Sequence, residues 1–313
     1  MRNNHVLSIV ALALSATILF SCEKKEKDSQ DTNTNNANAN VVGSDASVSG
    51  YEIPKLDARY DYICHRLTNG DVNFALEYDK NHMHPRWVAY TYNTKNAQKN
   101  APTRTDAWNP DPFYNNQKQF QTDVQYFTGY SRGHLIGSAE RYYSTEANEQ
   151  TFYMTNMSPQ NQEFNASYWG EIEDKARDIW GRGVISSSSR FYEGTLYVVK
   201  GGTINTEENI LGYINVKNTL GETCSMAVPR YFFMACLFVA KNGDARAIGF
   251  WMENKDYRLN TQNAATMRDF RRSSVRTIDE LEQLTGIDFF CNLTDAVEDA
   301  VESTCDISLW DGL

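Results

Sequence analysis

The stretch from Tyr130 to Arg177 concentrates residues that can do chemistry. It holds Ser131-Arg132-Gly133-His134, Met154-Thr155-Asn156-Met157-Ser158-Pro159-Gln160, then Asn165, Glu173 and Arg177. His134 and Asn156 are 22 residues apart, Asn156 and Asn165 nine, Asn165 and Glu173 eight, and Glu173 and Arg177 four. An imidazole with an ordinary pKa near 6.5 accepts a proton close to neutrality. A carboxamide oxygen suits a hard cation such as Mg2+, which keeps most of its waters. A guanidinium is a permanent, planar phosphate clamp. Together these types fit phosphodiester hydrolysis, which needs an activated water, neutralised phosphoryl charge and help for the leaving oxygen.

Each residue also has a plainer reading. Asn165 stands where a helix N-cap is expected. Arg177 follows Glu173 by four, the spacing of a helix-surface ion pair worth a few tenths of a kcal/mol. Glu173 lies ~12 Å along the helix axis from Asn165, too far for both to hold one ion directly unless it sits beside the helix. His82-Met83-His84 has chelate spacing but lies beside Asn81 and Pro85, as a polar loop would. Gly201-Gly202 lacks the Lys-Ser/Thr of a phosphate loop. No CxxC spacing suggests zinc.

Taken together, the (D/S)RGH tetrapeptide, the N-x-x-P-Q turn, and the Asn, Glu and Arg at these distances resemble the DNA/RNA non-specific endonuclease family of ββα-metal (His-Me finger) nucleases. The likeness extends to Arg104 upstream, to Val228–Phe233, and to Asp279–Gly286. It implies His134 as general base, oriented by the backbone carbonyl of Asn156. It implies Asn165 as the metal ligand and Glu173 as a holder of metal-bound waters. Arg104 and Arg177 become phosphate contacts, with Arg132 serving either substrate or fold. Mg2+ is the implied cofactor, with Mn2+ able to substitute. DNA and RNA are the implied substrates, cut internally to 5′-phosphate products. Homodimers occur in such a family, although no exposed patch for a second copy can be read here. Ser131 departs from the commoner Asp, which removes a carboxylate beside the base.

The elements that must position these residues read as α+β, a mostly antiparallel sheet with a central catalytic helix. Asn73–Tyr78 and Trp87–Tyr92 alternate as strands. Residues 94–130 are polar and proline-rich and read as a long loop, a frequent home of function. Trp169, Ile172, Ala176, Ile179 and Trp180 recur at spacings of three and four, predicting a helix from near Asn165 to Gly181. Strands follow at Thr195–Val199, Thr223–Val228, Tyr231–Ala240 and Ala245–Met252, and a short helix at Thr277–Leu284.

The N-terminal part reads as a targeting signal. Arg2 precedes a 15-residue apolar run, Val6–Phe20, too short for a comfortable membrane span. It ends in Leu19-Phe20-Ser21-Cys22, which resembles a bacterial lipobox. Residues 1–21 are therefore expected to be a lipoprotein signal peptide, Cys22 the lipidated residue, 22–50 a polar linker and 51–313 the nuclease domain. The expected location is the bacterial outer membrane or cell surface, or the periplasmic side, held to the membrane at Cys22. Of the remaining cysteines, Cys291 with Cys305 and Cys224 with Cys236 are candidate bridges in an oxidising compartment.

Charge cuts the other way. Thirty basic against 40 acidic residues leave a formal charge of −10. That disfavours a tight nucleic-acid binder but not an enzyme that holds its substrate briefly through a metal and a few arginines. The alternatives are a narrower enzyme of the same fold, acting on RNA or single strands only, and a surface-anchored binding protein without turnover.

Overall fold

Long apolar runs create the middle of the sheet. Tyr231–Val239 is buried at seven successive positions, Phe232–Phe238, so both of its faces must be covered. In a computed structural model, which describes residues 36–101, 103–115, 127–257 and 264–313, this strand (β9) lies between Thr195–Gly202 (β6) and Ala245–Glu253 (β10). With Asp61–Arg66 (β1), Val72–Asp79 (β2), His84–Tyr92 (β3) and Val275–Arg276 (β11), they form a seven-stranded antiparallel sheet in the order β1-β2-β3-β6-β9-β10-β11.

Period-two alternation then sends side chains to two cores. On one face Phe74, Val88, Val198, Phe232 and Met234 meet Phe164, Trp169, Ile172, Ala176 and Trp180 of the central helix. On the other, Ala75, Trp87, Val199, Phe233 and Leu237 meet Ile278, Leu281, Phe289 and Val301. The central helix is not uniformly α. Phe164–Trp169 and Lys175–Gly181 are π-helical and flank the α-helical turn Gly170–Asp174. Wide turns of this kind often mark functional positions.

Two ribbons stand apart from the sheet. Ser131–His134 (β4) pairs with Met157–Gln160 (β5), and Ile210–Lys217 (β7) pairs with Thr223–Pro229 (β8). The expected C-terminal helix is Ile278–Thr285 (hereafter αD). It starts on a Thr277–Glu280 capping box and stops at Gly286, whose φ of 67° is left-handed. A further helix, Asp295–Glu302 (αE), follows it.

Two expectations need correction. The polar linker does not run to residue 50. Asn36 donates to the Cys291 carbonyl at 2.9 Å, and the buried Asn40 donates to the Pro54 carbonyl at 3.0 Å and accepts from Leu56 N–H at 2.9 Å. Asn36 and Asn40 act as backbone clips and Asn38 bonds Asp288 and Glu298, rather than serving as solvated spacers. Residues 1–35, including the signal, Cys22 and the start of the linker, lie outside the described residues. The candidate disulfides are also absent: Cys64, Cys224, Cys236, Cys291 and Cys305 are all free. Cys224 and Cys236 do not flank a hairpin, because β8 pairs with β7 while Cys236 is held between Val198 and Ile248 in the main sheet.

Candidate active site

The β4–β5 ribbon presents His134. Its pairing sets His134 opposite Met157 and Gly133 opposite Ser158. Glycine is required at 133 by close approach: a Cβ there would lie 2.0 Å from Gln160 Oε1.

The ring of His134 sits against two aromatic rings, Trp108 at 5.2 Å and Phe152 at 5.0 Å between centroids. The Arg132 guanidinium lies 3.5 Å from the Trp108 centroid, and Arg104 lies 4.6 Å from that of Phe152. Desolvation, and then the charges of Arg104 and Arg132, push the His134 pKa down to about 3. Lys200 acts in the same sense. The imidazole is therefore neutral at physiological pH, and its buried Nε2 has no hydrogen-bond partner. A neutral ring with a free nitrogen is what a proton acceptor requires.

Asn156 holds this ribbon, but not as expected. Its carbonyl accepts from Leu135 N–H at 3.0 Å. Its fully buried carboxamide accepts from Ile136 N–H at 2.9 Å and donates to the carbonyls of Ile136 and Thr151 at 3.0 and 2.7 Å. Asn156 is thus a positioning residue with no catalytic contact. The backbone group that acts on the His134 ring belongs to Arg132.

The long loop comes to the site because its polar residues are tied down. Asp111 Oδ2 meets His65 Nε2 at 2.8 Å and Thr155 Oγ1 at 2.5 Å, all three buried. Asn148 Oδ1 accepts from Thr105 N–H and Oγ1, both at 3.0 Å. These clips fix Trp108 and Arg104 on either side. Arg104 also pairs with Asp106 at 2.7 Å, an exposed contact that substrate phosphate can displace.

Asn165 is not an N-cap. That position belongs to Asn161, whose Oδ1 accepts from Glu163 and Phe164 N–H at 2.9 and 3.2 Å. Asn165 is partly exposed, and its carboxamide makes no hydrogen bond to any described residue. A free, accessible carboxamide oxygen on a widened helical turn fits a hydrated hard cation. Among the described residues, no group of three His, Cys, Asp or Glu side chains gathers around it to hold a metal otherwise.

Two turns further on, Glu173 Oε1 accepts from Lys200 Nζ at 2.8 Å. Lys200 is fully buried and also bonds both oxygens of Glu140, at 2.8 and 2.7 Å. Tyr90 Oη donates to Glu140 at 2.6 Å. Burial pushes Glu173 above the usual carboxylate range, against the pull of Lys200. Neither Glu140 nor Lys200 stands out in the sequence, and Trp108 and Phe152 carry no motif either.

Arg177 is not free. It donates to Asp174 at 2.5 Å and Asp178 at 2.6 Å, rather than to Glu173 as the i+4 spacing allowed. These bonds raise its pKa further. Of the HxH pair, His82 bonds Asp79 at 2.6 Å and the buried His84 bonds Ser158 Oγ at 2.6 Å, so the two share no ligand position.

Residues 67–296 match the family described as DNA/RNA non-specific endonuclease. The chain belongs to that family. This non-specific endonuclease is a hydrolase, and the family works with a divalent metal ion. It is 27% identical to a nuclease of Nostoc over 236 residues, 74% of this chain and 76% of that one. It is 26% identical to the mitochondrial nuclease of Saccharomyces cerevisiae over 256 residues, 79% and 73% of the two chains. With the mitochondrial nuclease EXOG of Danio rerio it shares 27% over 220 residues, 70% of this chain and 59% of the relative. The solved EndoG/EndoGI complex contains a chain of the same fold, with a TM-score of 0.55, 20% identity, and coverage of 78% and 89%. This likeness supports the ββα-metal architecture of the endonuclease.

Proposed function

We propose that this endonuclease hydrolyses DNA and RNA internally to 5′-phosphate products, with His134 as general base and Mg2+ held at Asn165. The observation that carries the reading is the neutral His134 ring, walled by Trp108 and Phe152 and flanked by Arg104 and Arg132. Nε2 of His134 takes a proton from the attacking water. Arg104 and Arg132 receive the phosphate, and their charge overcomes the acidic balance of the chain locally. Asn165 would hold an Mg2+ or Mn2+ ion, which would supply charge neutralisation to the transferring phosphoryl group. Glu173, fixed by Lys200, would hold the waters of such an ion through its remaining oxygen. Arg177 serves as a second phosphate contact once substrate displaces an aspartate.

The reading includes export and a lipid anchor at Cys22, with the outer membrane or cell surface as location, supported by the apolar run and the Leu-Phe-Ser-Cys sequence. A homodimer remains part of it only by family likeness. Digestion of plasmid and of structured RNA, with Mg2+ and with excess EDTA, tests the activity. Both should be cut with the metal and neither with the chelator; full activity in EDTA refutes the metal role. Detergent partition of the wild type and Cys22→Ala tests the anchor, which is refuted if the variant still fractionates with membranes.

A further inference from the structure

A second group of oxygen ligands lies on the opposite side of the sheet from the central helix. Asp279 and Glu282 are three residues apart on αD and so share one helix face. Glu302 ends αE, where the helix dipole is already negative. One carboxylate oxygen from each of the three falls within 4.8 Å of the other two. Two ligands on opposite sides of a Ca2+ ion at ~2.4 Å would be about that far apart.

Three acids together are commonplace, but here one is in an anomalous setting. Glu302 is only 6% exposed, and its Oε1 is buried without a hydrogen-bond partner. A cavity of about 220 Å³ opens beside it, lined also by Glu282, Glu298 and Asn38. Asn38 donates through Nδ2 to Glu298 at 2.9 Å and to Asp288 at 3.2 Å, while its Oδ1 is buried and unpartnered. Two buried oxygens thus lack a hydrogen-bond partner, while Lys55, the cation beside Asn38, donates instead to the carbonyls of Asn38 and Ala39 at 2.5 and 2.8 Å. Leaving such a carboxylate unpaired is costly; a cation removes the cost.

We propose that Asp279, Glu282 and Glu302 form a structural site for a divalent cation of the Ca2+ type, separate from the Asn165 position, clamping αD to αE. Oxygen-only ligands, several negative charges and irregular spacing suit Ca2+ better than Mg2+, which demands a near-ideal octahedron. The ion also neutralises the cavity against which Asn38 docks, so it fastens the N-terminal segment indirectly.

The test uses the full chain carrying Asn165→Ala, stripped with chelator and titrated with CaCl2 by calorimetry and by thermal unfolding. One ion per chain and a rise in Tm of several degrees are expected by about 1 mM CaCl2, the weak end of protein calcium sites. Adding Glu302→Gln should weaken Ca2+ binding at least about tenfold. Should that variant fail to fold, Asp279→Asn provides the same binding readout. No heat and no Tm rise with CaCl2, or an unchanged affinity in the Glu302→Gln or Asp279→Asn chain, overturns the proposal. Neither outcome depends on nuclease turnover.

Discussion

The Arg132 guanidinium stacks over Trp108, 3.5 Å from the ring centroid, with Nη1 buried and unpartnered. The stack holds a cation beside His134 while leaving a donor for phosphate. Trp108→Ala should weaken substrate binding by about 1–2 kcal/mol, roughly 5- to 30-fold, the worth of a partly desolvated cation–π contact. Trp108→Phe should recover most of it. KM and kcat measured separately for both variants check this; an unchanged KM in Trp108→Ala would refute the platform role.

His134→Ala should lower kcat by about 10²–10⁴-fold while substrate still binds. The pH profile gives a second check. The base works when unprotonated, so rate rises with pH through its pKa and then levels. Burial and the two arginines put that pKa near 3 in the free enzyme. The acid limb of kcat/KM should therefore fall well below the ordinary 6.5. In kcat the limb should move upward, because bound phosphate offsets the arginine charges. A kcat/KM limb at or above 6.5 would show that the ring is not held this way.

Stability should follow acid in the same direction. His84 and His134 both have folded pKa values pushed to about 3 by burial. Between that value and about 6.5 the unfolded chain takes up protons that the folded chain refuses. Stability is then fully present above about 6.5 and is lost as pH falls toward 3. Each histidine contributes a slope of up to about 1.4 kcal/mol per pH unit. Urea unfolding from pH 7 to 4 measures it, and His84→Gln should flatten the curve by about one proton.

The parts of this arrangement that sequence discloses are those set by neighbours along the chain. Asn73–Tyr78 and Trp87–Tyr92 sit inside β2 and β3, and the apolar spacing from Trp169 to Trp180 fixes the central helix face. The family resemblance singles out His134, Asn165, Glu173 and Arg104 as candidates. What escapes is set by distant partners. Ser131–His134 and Met157–Gln160 lack a β-rich composition, and only their mutual pairing makes them strands. Lys200 looks like an ordinary strand lysine; its burial depends on Glu140, 60 residues earlier, and Glu173, 27 earlier. Asn165 reads as a cap from sequence, but Asn161 takes that role.

Lys200→Met should destabilise the fold by about 3–5 kcal/mol, since it strands Glu140 and Glu173 in a buried site without their cation. Adding Glu140→Gln should restore part of the loss. Thermal or urea unfolding of the single and double variants reads this directly. If Lys200→Met is as stable as wild type, the buried ion network is not a structural support.

With Cys64, Cys224, Cys236, Cys291 and Cys305 all free, reducing agent should leave Tm unchanged. Thiol titration in denaturant should count five reactive groups on a chain whose Cys22 is lipidated. A Tm lowered by dithiothreitol would reveal a bridge.

The asparagine clips of the N-terminal segment set a schedule for folding. Asn36 reaches the Cys291 carbonyl across 255 positions, and Asn38 reaches Glu298 across 260. A chain that emerges N-terminus first must therefore keep its earliest domain residues undocked until almost its last helix has appeared. Contacts of such span close late and slowly. The segment's partner is the αD–αE end, so a nascent or truncated chain stopped before αE can build the sheet yet still leave its own beginning loose.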